Sequence, residues 1–138
     1  MSAPLARFAA QRKVRFAECD PAGIVFYPRY FEYLNGLVED WFEAIGFPFH
    51  ETHIGGRIGT PVRALEAEFL RSSRLGEVLE LSLELLEVGR TSARLEGVFS
   101  CAGEERFRAR CAIVYVDFQE GPLPWPSEMR AAMTGSAA

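Results

Sequence analysis

Residues 28–45 carry the longest helical pattern in the chain. Their apolar positions cover too broad a face for a free helix. At about 100° per residue, Tyr30, Phe31, Leu34, Leu37, Val38, Trp41, Phe42 and Ile45 fall on one side, and Glu32, Gly36, Glu39, Asp40 and Glu43 on the other. A stripe that wide must lie on something large. The partner is written later in the chain, as four stretches alternating with a period of two. Residues 62–71 put Leu65, Ala67 and Phe69 on one face. Residues 78–86 set Leu79, Leu81, Leu83 and Leu85 against Glu80, Ser82 and Glu84. Residues 92–101 and 106–118 repeat the pattern. The breaks at 74–76, 89–90 and 102–103 are short, as antiparallel neighbours allow. With a further strand predicted at 11–18, holding Val14 and Phe16 on one face, the layout is α+β: an antiparallel five-stranded sheet wrapped around one long helix.

The helix has marked ends. Pro28 suits the first helical position, where a missing N–H costs nothing, and Gly46 is a stop signal. Residues 47–59 read as a loop with a turn at Gly55-Gly56, and 127–133 as a short terminal helix after Pro122, Pro124 and Pro126. No Ser, Thr, Asp or Asn stands at position 27 to cap the first turn. The helix start is therefore expected to hold unpaired amides and a partial positive charge. Just before it, Pro21 biases Asp20 towards extended backbone and Gly23 permits a turn. A carboxylate on a short loop before an uncapped helix can serve as base or nucleophile, with the amides holding an oxyanion. Cys19, its neighbour, should point the opposite way in an extended segment.

One domain is expected over residues 1–138. The formal net charge of −4 argues against nucleic acid as a partner. Three cysteines, Cys19, Cys101 and Cys111, form no CxxC pair and suggest reduced thiols rather than a disulfide framework or a zinc site. His50 and His53 are spaced like metal ligands but have no third ligand, and are expected to be surface histidines. Glu39, Asp40 and Glu43 read as a solvated helix face, with Glu39 a reserve acid. No stretch is long and apolar enough to span a membrane, and the start of the chain lacks a secretion-signal pattern. The expectation is a cytoplasmic protein without a metal site.

The run Phe16-Ala17-Glu18-Cys19-Asp20-Pro21-Ala22-Gly23-Ile24-Val25-Phe26-Tyr27-Pro28-Arg29-Tyr30, with Gly59-Thr60-Pro61 before the next strand, resembles the hotdog-fold acyl-CoA thioesterases, most of all the 4-hydroxybenzoyl-CoA thioesterase-like branch. The resemblance implies the hotdog fold and hydrolysis of an acyl-CoA thioester with no metal or redox cofactor. It implies Asp20 as the catalytic carboxylate and the Tyr27 N–H as the group that polarises the carbonyl. It further implies a homodimer or homotetramer with sites at the subunit interface. Gly23 and Thr60 fall in the substrate-binding motifs. Arg90, in a Gly-Arg turn, is the leading candidate for the coenzyme A phosphates, ahead of Arg71 and Arg74. The branch places an Asp on the long helix against a ring hydroxyl; here that position is Asn35, which can donate or accept and so loosens the demand for a 4-hydroxyl. Phe26, Tyr30, Phe31 and Phe42 surround the expected acyl site with aromatic surface. Two other readings stand beside this one. A hotdog dehydratase would need a His paired with an acid. A non-catalytic module binding acyl-CoA or acyl carrier protein would not need the Asp20 carboxylate.

Overall fold

The computed structural model describes residues 7–135; the single-domain expectation also covers residues 1–6 and 136–138, which lie outside the described residues. Strands β1 (Arg7–Lys13), β3 (Val62–Phe69), β4 (Val78–Val88), β5 (Ser92–Cys101) and β6 (Glu104–Val114) form an antiparallel sheet in the order β1-β4-β5-β6-β3. Helix α1 (Pro28–Ala44) lies across its inner face, α2 (Phe49–Thr52) follows it, and α3 (Ser127–Thr134) ends the described chain. Three two-residue strands, β2 (Ile58–Gly59), β7 (Val116–Asp117) and β8 (Gly121–Pro122), make a small second sheet. This is the hotdog arrangement expected above.

The alternation sorts the faces as its period demands. Leu79, Leu81, Leu83 and Leu85 of β4 and Ala93, Leu95 and Phe99 of β5 are buried against Tyr30, Leu34, Leu37, Trp41 and Phe42 of α1. Phe107 stacks on Tyr30 with centroids 4.8 Å apart and planes 4° from parallel. Gly97 is demanded by contact: a Cβ there would stand 2.8 Å from Leu34 Cδ1. The outer face carries charge instead. Glu96, buried by its neighbours, accepts from Arg108 at 3.2 Å and Arg110 at 2.8 Å.

Three expectations change. The first strand is Arg7–Lys13, paired with β4, and not 11–18. Residues Phe16–Glu18 are a 3-10 turn, closed by the Arg15 N–H on Glu18 Oε1 at 2.9 Å. Val14 is buried as expected, while Phe16 is thrown out to 82% exposure. The last strand stops at Val114, where the chain leaves the main sheet for the small one. The loop 47–59 holds α2 and β2.

The two sheet edges differ. On β1 the exposed residues include Arg7, Arg12 and Lys13, charges that discourage strand addition. On β3 the inward-facing Val62, Leu65 and Phe69 remain 55%, 45% and 52% exposed, because α1 lies on the same face but nearer β1 and β4. A groove between α1 and β3 is thereby left open.

Candidate active site

The loop before α1 is a tight antiparallel return. Cys19 bridges Val25, the Asp20 N–H donates to Ile24 O at 2.9 Å, and the Phe26 N–H donates to Glu18 O at 2.9 Å. Gly23, at φ +78°, makes the turn and donates to Asp20 O at 2.9 Å. The half-buried Asp20 carboxylate accepts the Ala22 N–H through Oδ1 at 2.8 Å, and its other oxygen has no partner among the described residues. An aspartate opening a turn would do as much; the surroundings distinguish it.

Those surroundings begin with Tyr27. It enters α1 in helical conformation with no side-chain cap, and Pro28 follows. The Arg29 and Tyr30 N–H groups are taken by Phe26 O and Tyr27 O, at 2.8 and 3.2 Å. The Tyr27 N–H has no acceptor among the described residues, at the positive end of a 17-residue helix. Cys19 does not compete as a nucleophile: burial, then the Asp20 and Glu18 carboxylates, push its thiol above its ordinary range.

Glu18 is structural. It is buried and paired with Arg12, and it also accepts the Arg15 N–H and, at 2.8 Å, the Tyr33 hydroxyl. Burial works against its charge, but Arg12 and these donors together hold its carboxyl below the usual range. It thus ties β1, the loop and α1 together.

Behind the loop lies a second brace. The Val25 N–H donates to Ser73 O at 2.8 Å, the Leu75 N–H to Gly23 O at 3.0 Å, and the Tyr30 hydroxyl to Ser73 Oγ at 3.0 Å. The 72–77 segment is held in turn by Arg106, which donates to Ser72 O at 2.9 Å and to both Glu77 oxygens at 2.8 and 3.1 Å. Arg106, then the Arg74 N–H, lower Glu77 to about 2 from a usual value of 4.5. The folded pKa lies below the unfolded one. The stabilisation is therefore full above about pH 4.5 and is lost as pH falls towards 2. It amounts to about 3 kcal/mol at most. In thermal melts from pH 7 to pH 2, Glu77→Gln should start lower than the parent and converge on it in acid; parallel curves would refute this.

Two further residues of the expected site lie together elsewhere. Asn35 on α1 and Thr60 after β2 line one groove of about 460 Å³, with Phe31, Leu34, Val38, Leu65, Cys111, Ile113 and Phe118. Its outer wall is fastened by Arg57, whose Nε donates to Asp117 Oδ2 at 2.6 Å. Asn35 follows Tyr27 by eight residues, about 12 Å of helix. Asp20, Gly23 and Tyr27 thus lie before the helix and outside the lining of this groove, which holds Asn35 and Thr60. Arg90 is exposed in the β4–β5 turn. That turn shares an end of the sheet with Thr60, since Ala93 pairs with Ile113 and Ile113 with Val62. An 11-residue strand, roughly 35 Å, separates it from the Asp20 loop. Arg71 and Arg74 lie near that loop instead, exposed. Glu39 is exposed about three turns along α1 from Tyr27.

His50 is exposed as expected, but His53 is not a surface histidine. It is half-buried, lines the groove and lies on the Phe49 ring with centroids 4.1 Å apart. The sequence pattern also missed Phe118 as a groove wall. The one available signal was Gly59: a Cβ there would stand 2.7 Å from the Phe118 ring.

The Thioesterase-like superfamily profile matches residues 14–133. The 4-hydroxybenzoyl-CoA thioesterase of Pseudomonas sp. (strain CBS-3) is 32% identical over 84 residues, which span 59% of this chain and 60% of that protein. The structure of a gentisyl-coenzyme A thioesterase superposes with a TM-score of 0.84 at 26% identity, covering 91% of this chain and 99% of that one. A 1,4-dihydroxy-2-naphthoyl-CoA thioesterase from Synechocystis superposes with a TM-score of 0.85 over 93% of this chain and 96% of the other; at 18% identity it speaks for the fold alone.

Proposed function

This chain belongs to the Thioesterase-like superfamily, and from that premise we propose that it is an acyl-CoA thioesterase acting on aromatic or medium-sized acyl groups. The observation that carries the reading is the unpartnered Tyr27 N–H at the start of α1, entered from a loop that presents a half-buried Asp20 carboxylate. In the proposed reaction the thioester oxygen accepts the Tyr27 N–H, and the helix end stabilises the charge that builds there. Asp20 attacks the carbonyl carbon to give an acyl anhydride that water then opens, or it takes a proton from a water that attacks. Either way the C–S bond breaks, the coenzyme leaves as thiolate and is protonated, and the acid is released. A thiolate is a good enough leaving group to need no general-acid histidine.

We further propose that the working site is shared between two subunits. A two-fold axis at the β3 edge would pair β3 antiparallel with its copy. It would cover Val62, Leu65 and Phe69 and bring the Phe69 end of one chain to the Val62 end of the other. Tyr27 touches Phe69, ring to ring at 5.9 Å, and Thr60 and Asn35 sit at the Val62 end. The Asp20 loop of one chain then faces the Asn35–Thr60 groove of its partner, with Arg90 at that same end as the candidate rim contact for coenzyme A phosphate. A homotetramer would add a second such pair. Three free thiols suit a reducing, cytoplasmic setting.

The relatives named for 4-hydroxybenzoyl- and gentisyl-CoA support an aromatic acyl group, as does the aromatic surface of Phe31, Phe49 and Phe118. Asn35 in place of an acid should let benzoyl- and phenylacetyl-CoA rival the 4-hydroxybenzoyl ester. The test is free-thiol release across acetyl-, octanoyl-, palmitoyl-, benzoyl-, phenylacetyl- and 4-hydroxybenzoyl-CoA. The aromatic esters should show the highest kcat/KM. A preference for palmitoyl would overturn the aromatic assignment, and no release from any ester would overturn the activity.

A further inference from the structure

Among the described residues, Ser73 is the one serine or threonine that is fully buried. A buried hydroxyl costs free energy unless it is hydrogen-bonded. This one meets the buried Tyr30 hydroxyl, which donates to Ser73 Oγ at 3.0 Å. The main chain of Ser73 bonds elsewhere: its carbonyl oxygen accepts the Val25 N–H at 2.8 Å. Its neighbours extend that pairing. Arg74 bridges Ile24, and the Leu75 N–H donates to Gly23 O at 3.0 Å. The returning limb of the Asp20 loop is thus laid along residues 73–75. Ser73 holds the loop with its backbone and the helix with its side chain.

Tyr30 is a stiff arm. Its ring stacks on Phe107 with centroids 4.8 Å apart, and Phe69 and Phe99 stand at 5.9 and 6.3 Å. It sits in the first turn of α1, and its N–H donates to Tyr27 O at 3.2 Å. To leave Ser73, the hydroxyl must disturb that packing and the turn that carries the Tyr27 N–H. Glu18 also ties loop to helix, through the Tyr33 hydroxyl at 2.8 Å, but three residues further from the helix start. Between Asp20 and Tyr27 the chain itself passes through Gly23, the most permissive residue for its backbone. A displacement of about 1 Å between reacting groups can cost about a hundredfold in rate.

We propose that the Ser73–Tyr30 hydrogen bond positions the catalytic groups, fixing the Tyr27 N–H relative to the Asp20 carboxylate. Both side chains are buried away from the acyl group and act through the loop and the helix, so they are positioning residues. The proposal rests on the thioesterase reading of Asp20 and Tyr27.

The experiment measures kcat, KM and melting temperature in the parent, Ser73→Ala, Tyr30→Phe and the double variant, on the best ester of the acyl-CoA panel. Ser73→Ala keeps the backbone bond to Val25, and Tyr30→Phe keeps the ring on Phe107. Each single substitution should lower kcat about tenfold to a hundredfold, with KM within about twofold of the parent. Each also strands a buried hydroxyl, so the melting temperature should fall. The double variant removes both hydroxyls. Its melting temperature should recover towards the parent, while kcat stays as low as in the singles, because one shared bond is lost only once. A bond that serves stability alone would let kcat follow the melting temperature back. Recovery of kcat in the double variant, parental kcat in both singles, or a loss confined to KM overturns the proposal while leaving hydrolysis established. If one single variant does not fold, the other and the double decide; failure of all three to fold assigns the bond to stability and overturns the proposal as well. A parent that cleaves no ester of the panel overturns the functional reading and this inference with it.

Discussion

Asp20→Asn is expected to lower turnover of the best acyl-CoA substrate by about a hundredfold to ten-thousandfold, the range spanned by loss of a positioned acid–base group, while leaving the fold intact. The structure explains why the two effects should separate. The carboxylate makes one hydrogen bond within the chain, accepting the Ala22 N–H at Oδ1, and an Asn carbonyl oxygen can take the same bond in the same turn. What Asn cannot supply is an anionic oxygen to attack carbon or to take a proton from water. The loop keeps its pairing to Ile24, its turn at Gly23 and its braces from Ser73 and Leu75. A melting temperature within a few degrees of the parent should therefore accompany the loss. If turnover survives, the chemistry belongs elsewhere. Glu18, committed to Arg12, Arg15 and Tyr33, is a poor replacement, which leaves Glu39 as the acid to examine.

The second large effect concerns the edge of the sheet. Leu65→Asp is expected to give a monomer by light scattering at micromolar concentration and to reduce activity at least about a hundredfold. Leu65 is 45% exposed in the single chain, so an Asp there meets solvent and leaves the core untouched. In a pair joined at β3, the same carboxylate would be buried in an apolar seam without a partner, a cost of several kcal/mol. Activity should be lost together with association because, within one chain, the Asp20 loop lies outside the Asn35–Thr60 groove. A monomer with full activity would show that one chain holds a complete site. A dimer surviving the substitution would move the interface to another face.

Much of the fold was legible in the chain. The α1 stripe, the alternating residues of β3 to β6, Pro28 at the helix start and Gly46 at its end are local signals, and each specifies its element from neighbours within a turn or a pleat. The motif from Phe16 to Tyr30 was equally legible. So was the uncapped Tyr27, because the absence of a capping side chain is a property of one position. The first strand failed for a nameable reason. Val14 and Phe16 satisfy a two-residue period, but the Glu18 carboxylate turns back to the Arg15 N–H and curls the backbone before a strand can continue.

The site divides the same way. Sequence alone determined which residues could carry chemistry: Asp20 and Tyr27 at one loop, Asn35 on the helix, Thr60 after a glycine, Arg90 in a turn. Tertiary structure decided which of them share space. It set Asn35 and Thr60 in one groove and Asp20 outside it, left β3 as the apolar edge because α1 lies over β1 and β4, and drew His53 off the surface onto Phe49 and into the groove. His50 and His53 sit in the same loop, and nothing within a few residues of either separates them. The difference comes from contacts far along the chain, with Gly59 leaving room for the Phe118 ring, which lines the same groove as the imidazole. Periodicity records how a segment bonds to itself. Burial of one side chain depends on which distant surface arrives to cover it, and that is settled only when the sheet closes around the helix.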